Sequence, residues 1–424
     1  MPTEKSPQPR APAVGDDPRE ATTDVQPPDG KVRFRHLDEA VIEADRCVQC
    51  GSCVAACPSD SIGIADSDRR PTLVKMCTGC SRCWDTCPRA GLRYERLPTL
   101  DGADPETVDG GIGPIEDGYA ASAAADVAGA QHGGVVTALL AALLESPDGI
   151  DGAVVATEAT DGTGLAEPAL ATTPAEVQEY AGTLFTQPLQ LAALEKLLAA
   201  ADLPADPSLA LVGTPCVIEG VAALDRSPYR DDRFDESRPL DHVDLTVALT
   251  CTQALDDEGL EHVLSREYDL DPDDVAGLDL VGQGIRIDLT DGGDERAPLG
   301  DFRGAILDGC LECADATGGI ADLTVGTVGS AQGESTVLVR TERGAVAFDR
   351  AEASLDAKPL EALAPVEQLA QWNADRAREA TARDIDPEGD LWIPYSAHRE
   401  AYDDTDRAPV AFNPARVHQY EEWC

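Results

Sequence analysis

Eight of the thirteen cysteines stand in two runs of identical spacing. The first is Cys47-x2-Cys50-x2-Cys53-x3-Cys57-Pro58, and its copy thirty residues later is Cys77-x2-Cys80-x2-Cys83-x3-Cys87-Pro88. An iron-sulfur cube needs four thiolates, and a Cys-x2-Cys-x2-Cys turn wraps three of them around one cluster without long-range help. In a duplicated run the cysteine before proline serves the other cluster. The spacing therefore assigns Cys47, Cys50, Cys53 and Cys87 to one 4Fe-4S cluster, and Cys77, Cys80, Cys83 and Cys57 to a second. Gly51, Ser52, Gly79 and Ser81 are small enough to let backbone N–H groups reach the sulfurs, which tunes potential. Zinc also takes paired Cys-x2-Cys, but it offers no account of the duplicated Cys-x3-Cys-Pro tail. Trp84 and Tyr94 are read as packing around the clusters.

Four more cysteines precede the terminal Cys424, which reads as a free thiol: Cys216 after Gly213-Thr214-Pro215, Cys251 at a strand end, and the pair Cys310-Leu-Glu-Cys313. Their number fits one further cluster. Singly, Cys216 or Cys251 would pass for an inert buried thiol, whereas the pair presents two sulfurs to one metal site. Gln131-His132-Gly133-Gly134-Val135 sits where a glycine turn meets a helix start, a place that suits either an anionic group or a plain turn and cap. Gly282-Gln283-Gly284 and Gly326-x2-Gly329 are too short to open a dinucleotide-binding helix, so a Rossmann domain has no support.

The elements that must position these residues follow from composition and period. Residues 1–32 are rich in Pro, Asp, Glu, Thr and Gln with almost nothing to bury, and read as a disordered tail. The cysteine repeat makes one domain, 33–98, of the bacterial two-cluster ferredoxin type. An Asp, Gly and Pro-rich linker spans 99–118. From 119 to 350 strand and helix signals alternate: a helix over 135–144, strands at 152–156, 209–212 and 245–249, a helix from Pro188 to Ala200, and strands at 321–328, 335–341 and 345–348, the last after a turn at Arg343-Gly344. That alternation predicts a layered α/β domain. Residues 351–424 form a polar, partly helical C-terminal extension.

Asp and Glu number 79 against 33 Lys and Arg, a formal charge of −46. Phosphate would meet a field of its own sign, so nucleic acid is excluded as a partner. Acidic residues spread along the whole chain suit a solvated surface in concentrated salt, where screening shortens to about 3 Å at 1 M, so the composition is halophilic. No stretch approaches the roughly 18 apolar residues of a transmembrane segment, and the N-terminus lacks the apolar run of a signal peptide. A cytoplasmic chain whose cysteines bind metal rather than form disulfides is expected.

Several stretches in order resemble the beta subunits of coenzyme F420 hydrogenases and dehydrogenases: Gln131 to Leu140, Ile150 to Val155, Leu211 to Cys216, Cys310 to Asp315, Ala321 to Gly329 and Val337 to Thr341. The resemblance implies a non-Rossmann α/β flavoprotein domain that binds FAD and a third 4Fe-4S cluster and uses the deazaflavin coenzyme F420 as substrate. It turns the glycine segment toward flavin, and implies FAD contacts at Gln131, His132, Gly133, Gly134, Val135, Thr137, Gly213, Thr214, Pro215, Asp315, Gly326 and Gly329, with His132 as the candidate catalytic residue. It implies that Cys216, Cys251, Cys310 and Cys313 hold the third cluster. FAD belongs between a two-electron carrier and one-electron clusters. The layout is similar to the electron-input subunit of the F420 dehydrogenase complex, which implies a redox partner protein such as a respiratory complex at the inner face of the membrane. A ferredoxin-driven FAD reductase of an organic substrate, and a relay subunit without a substrate site, are the alternatives. The chain departs from the family at His132 and at Thr183-Leu184-Phe185, where relatives carry Ser-Lys-Tyr.

Overall fold

The computed structural model describes residues 33–65, 69–80, 82–89, 112–125, 127–130, 132–159, 165–225, 239–281 and 284–381. The tail, Tyr94, Gln131, residues 282–283 and Cys424 lie outside them. In the N-terminal domain each cysteine run closes in a single helical turn, Ser52–Ala55 or Arg82–Asp85. Between the runs lies an antiparallel hairpin of β1 (Ile62–Ile64) and β2 (Pro71–Leu73). Phe34, Leu37, Val41, Ile42, Ile62 and Trp84 pack against the cysteines. So small a core depends on ligation for its stability.

The chain then runs β3 (Asp117–Ala123), α1 (Val135–Glu145), β4 (Gly152–Glu158), β5 (Ala166–Ala171), α2 (Pro174–Glu179), α3 (Gln190–Ala200), β6 (Leu209–Gly213), α4 (Pro215–Asp225), β7 (Val243–Leu249) and α5 (Asp257–Glu267). There follow β8 (Val275–Val281), β9 (Gly284–Leu289), β10 (Asp294–Pro298), β11 (Leu323–Gly326), β12 (Ser335–Val339), α6 (Glu342–Arg350), β13 (Leu355–Pro359) and α7 (Ala364–Thr381). Eight strands form one sheet in the order β13-β3-β12-β11-β7-β6-β4-β5. Its centre, β11, β7, β6 and β4, is parallel, and the flanking strands are antiparallel. β6 is buried along its whole length, as a strand covered on both faces must be. Val135, Leu139, Leu140 and Leu143 recur at helical spacing on α1 and, with Phe348, cover one face. On the other face, Leu191 and Leu194 of α3 and Val217 and Val221 of α4 pack with Val154 and Leu211. β8, β9 and β10 make a separate antiparallel meander packed on α5.

Three sequence expectations change. Residues 345–348 are helical, because Thr341 accepts a hydrogen bond from Gly344 N (3.1 Å) and caps α6. Its side chain turns the expected hairpin into a helix start. The stretch read as linker contributes its end to the domain: Ile112 O and Pro114 O accept from Arg340, and β3 begins at Asp117. The sheet also runs past 350, since β13 pairs with β3 as the edge strand.

Candidate functional site

Two cavities in the N-terminal domain are lined by the cysteine sets that the spacing assigns. One is walled by Cys47, Cys50, Cys53 and Cys87, the other by Cys57, Cys77, Cys80 and Cys83. Left-handed backbone at Gln49 and Gly79 (φ +53° and +73°) turns an N–H back onto a sulfur in both copies. Gln49 N donates to Cys47 Sγ and Gly79 N to Cys77 Sγ, both at 3.4 Å. The distal cysteines receive N–H bonds too, Cys57 from Ser61 (3.2 Å) and Cys87 from Arg89 (3.4 Å). Donors of this kind stabilise thiolate and tune a cluster. Among the described residues no group of His, Cys, Asp or Glu side chains converges as the ligands of a single ion would, whereas thiolates around a cube stand farther apart. Burial pushes the Cys47 thiol up to about 12 and that of Cys87 up to about 11. These sulfurs become thiolates when iron replaces the lost hydration. Four thiols per cavity and inward N–H groups fit a cubane.

The four remaining internal cysteines come together through sheet topology. β6 and β7 are parallel neighbours, so Cys216, which follows β6, and Cys251, which follows β7, leave the sheet at the same edge. Ligands in open α/β sheets gather at these carboxyl ends. Cys216 lies in the first turn of α4, where the helix dipole favours negative charge. Cys310 and Cys313 arrive on a turn, Asp308–Glu312, whose Leu307 and Cys310 pack in the same apolar cluster as Cys216. Burial raises all four thiols, that of Cys313 to about 12. Thr214 Oγ1 lies 3.2 Å from Cys216 Sγ, and Ala254 N donates to Cys310 Sγ at 3.4 Å. The C-terminal helix completes the wall: Asn373 donates to Cys313 O (2.8 Å) and Arg376 to Cys310 O (3.0 Å).

The glycines named for a flavin lie along the same edge of the sheet. Register sets Gly326 opposite Thr336 and Ser335 opposite Ala121, and Gly133 packs onto that line. A Cβ at Gly133 would stand 2.6 Å from Ala121 O, and one at Gly326 2.0 Å from Thr250 Oγ1. Gly134, at φ +67°, precedes α1, and no side chain caps that helix. His132 is exposed beside the turn and Thr137 half-buried one turn on. Gly329 lies near Thr336, and Pro215 opens α4 beside Gly213 and Thr214. Asp315 is held by the backbone of its own loop. It is fully buried, and its carboxylate accepts from Thr317 N, Gly318 N and Gly319 N (2.9, 2.7 and 3.0 Å). It shapes the loop whose Ala316 O holds Cys251 N (2.9 Å).

At the ends of β4 and β5 opens a cleft of about 290 Å³ walled by Thr157, Glu158, Tyr180, Leu260 and Leu278. Thr183-Leu184-Phe185 form part of its wall. Its volume is at the small end of ligand sites. The third cysteine group, the glycine turns and this cleft thus all lie along one edge of the sheet.

Three arginines of the N-terminal domain dock it on the sheet domain, and none announced itself in the sequence. Arg46 makes a two-pronged bond to Glu312, between Cys310 and Cys313, with Nη2 2.8 Å from Oε2. Arg69 reaches Asp257 in the cleft wall (2.8 Å) and the carbonyls of Ala166 and Gln187 (2.7 and 2.8 Å). Arg89 is buried and donates to Gly309 O at 2.7 Å. The domains touch closely enough that a Cβ at Gly220 would stand 2.9 Å from Cβ of Ser52. Cys50 lies in one apolar cluster with Cys216 and Cys310.

Among the described residues no helix is long and apolar enough to cross a membrane. Family models for the N-terminal and C-terminal parts of the coenzyme F420 hydrogenase/dehydrogenase beta subunit match residues 118–195 and 206–362, and a 4Fe-4S dicluster domain matches 40–92. The chain is 30% identical over 268 residues to coenzyme F420 hydrogenase subunit beta of Methanococcus voltae, covering 62% of this chain and 91% of that one. It is 29% identical over 353 residues to coenzyme F420-dependent sulfite reductase of Methanocaldococcus jannaschii, covering 81% of this chain and about half, 51%, of that one. A chain of the F420-reducing [NiFe] hydrogenase complex from Methanosarcina barkeri shares the fold, with TM-score 0.57 and 24% identity over 67% of this chain and 98% of that chain. The protein belongs to the coenzyme F420 hydrogenase/dehydrogenase beta-subunit family of iron-sulfur oxidoreductases and carries a 4Fe-4S dicluster domain ahead of the family's two conserved parts.

Proposed function

We propose that this chain takes hydride from reduced coenzyme F420 onto FAD and passes the electrons singly through three 4Fe-4S clusters to a redox partner protein. The observation that carries the reading is the position of Cys216, Cys251, Cys310 and Cys313. They lie at the sheet edge that also carries the glycine turns and the cleft, and Cys216 and Cys310 share an apolar cluster with Cys50 of the N-terminal domain. FAD, when bound, couples a two-electron carrier to one-electron centres. The residues of the chain do the positioning. The uncapped N–H groups at the start of α1 hold a pyrophosphate, with His132 at the rim of that turn as the candidate proton-handling group. The cleft beside β4 takes the deazaflavin, with Leu184 and Phe185 supplying apolar wall in place of the family's lysine and tyrosine. Arg46, Arg69 and Arg89 keep the domains docked so that the clusters share one buried path. The hydrogenase and dehydrogenase relatives act as subunits, which supports a partner protein that accepts the electrons.

Anaerobically purified protein is expected to oxidise reduced coenzyme F420 with a one-electron viologen as acceptor, reducing about two viologens per coenzyme. A preparation that holds flavin and iron yet gives no turnover, while reduced ferredoxin bleaches the flavin, would point to the reverse flow of a reductase. A preparation with iron and no flavin would make the chain a relay.

A further inference from the structure

Between the first and third cysteine groups stands a buried guanidinium that neither group needs as a ligand. Arg89 is 2% exposed. Its backbone N–H donates to Cys87 Sγ (3.4 Å), and Nη1 donates to Pro88 O (2.9 Å). Nε donates across the domain boundary to Gly309 O (2.7 Å), next to Cys310. Nη1 lies 3.9 Å from Glu219 Oε2, itself buried on α4 one turn beyond Cys216. Cys313, Cys216 and Cys310 all feel the guanidinium charge, and Arg46 Nη2 holds Arg89 O at 3.1 Å.

A charged residue in this position has a consequence for two redox centres. Reduction adds a negative charge to a cluster, and a fixed cation in a low-dielectric interior favours it. Glu219 acts in the opposite sense on the same centres. We propose that Arg89 is the electrostatic link between the two clusters, raising the reduction potential of both, with Glu219 trimming the effect. This rests on the reading that Cys216, Cys251, Cys310 and Cys313 hold a cluster. One electron leaves the reduced third cluster and enters the oxidised cluster of Cys47, Cys50, Cys53 and Cys87. No bond forms or breaks and no proton moves, and the charge of Arg89 serves donor and acceptor alike, so passage between them is kept level rather than trapped on one side. Arg89 is a positioning residue for charge, not a catalytic one.

The test is potentiometry followed by electron paramagnetic resonance on anaerobic holoprotein carrying Arg89→Gln, Glu219→Gln or Arg69→Gln. At a fixed ambient potential, Arg89→Gln should lower the reduced-to-oxidised ratio of both clusters about tenfold, equal to about 59 mV for one electron. Glu219→Gln should move both ratios the other way, and the docking variant Arg69→Gln should move neither. Arg89→Lys, which keeps the charge but not the Nε bond to Gly309, should recover most of the shift. Shifts of one sign in both charge variants, or unmoved potentials in a protein with full iron content, overturn the link while leaving the third cluster in place. An iron content of roughly eight rather than twelve per wild-type chain removes the third cluster and the link with it.

Discussion

Replacing Cys310 by alanine is expected to remove roughly one third of the iron and to bring viologen reduction by reduced coenzyme F420 to background, while both N-terminal clusters keep their resonance signals. Cys310 is buried against Leu307, receives an N–H from Ala254, and sits on a turn fixed by Arg376 and by Arg46 through Glu312. A cluster held at three corners exposes an iron and is lost to oxygen or chelator. The N-terminal clusters draw no ligand from that turn, since their cavities are closed by their own eight thiols. Bound flavin would still be reduced, and the electrons would find no carrier between the cleft and Cys50. Iron, sulfide and flavin assays together with viologen turnover check this. Retained iron with retained turnover would remove Cys310 from the path.

Asp315→Ala is expected to have the largest effect on stability. Its carboxylate satisfies three backbone N–H groups in a loop with no solvent access. Alanine would strand all three. It would also strip the counter-charge from Arg340, 4% exposed, whose own basicity burial lowers to about 10 while Asp315 opposes that change. Orphaning a buried donor costs about 1–3 kcal/mol before local relaxation, so three of them put the loss at about 3–5 kcal/mol once the loop relaxes in part, a sizeable share of the roughly 5–15 kcal/mol that a domain has. A fall in melting temperature of about 10 °C follows. The same loop holds Cys251 N through Ala316 O (2.9 Å), so third-cluster iron should fall as well. Calorimetry and iron assay check both. An Asp315→Ala protein that melts with wild type would show the loop to be held by something else.

Ligand spacing is readable because it is local. Three thiolates within seven residues, and their copy, carry the geometry of a cluster in the chain itself, and the fold places the fourth members where the proline rule puts them. The third group is readable as residues but not as a place. What assembles it is the parallel pairing of β6 with β7, together with a helix, Ala364–Thr381, in a stretch whose polar composition gives no sign of contact with the cysteines. The docking arginines are invisible for a similar reason. Arg46 and Glu312 are 266 residues apart, and no period or spacing links a surface-type residue to a partner that distant. The three N–H groups that hold the Asp315 carboxylate in a buried loop are likewise not announced by its place in the chain. Residues 345–348 mislead because Arg343-Gly344 looks like a turn until the Thr341 cap is seen.

The most direct measurement is rapid mixing of the oxygen-protected holoprotein with reduced coenzyme F420, followed at the flavin absorbance and by freeze-quenched electron paramagnetic resonance. Flavin bleaching is expected first, then reduction of the cluster that Cys310→Ala deletes, then of the N-terminal pair. A holoprotein whose flavin stays oxidised in the presence of the reduced coenzyme, or whose clusters are reduced without any flavin change, would contradict it.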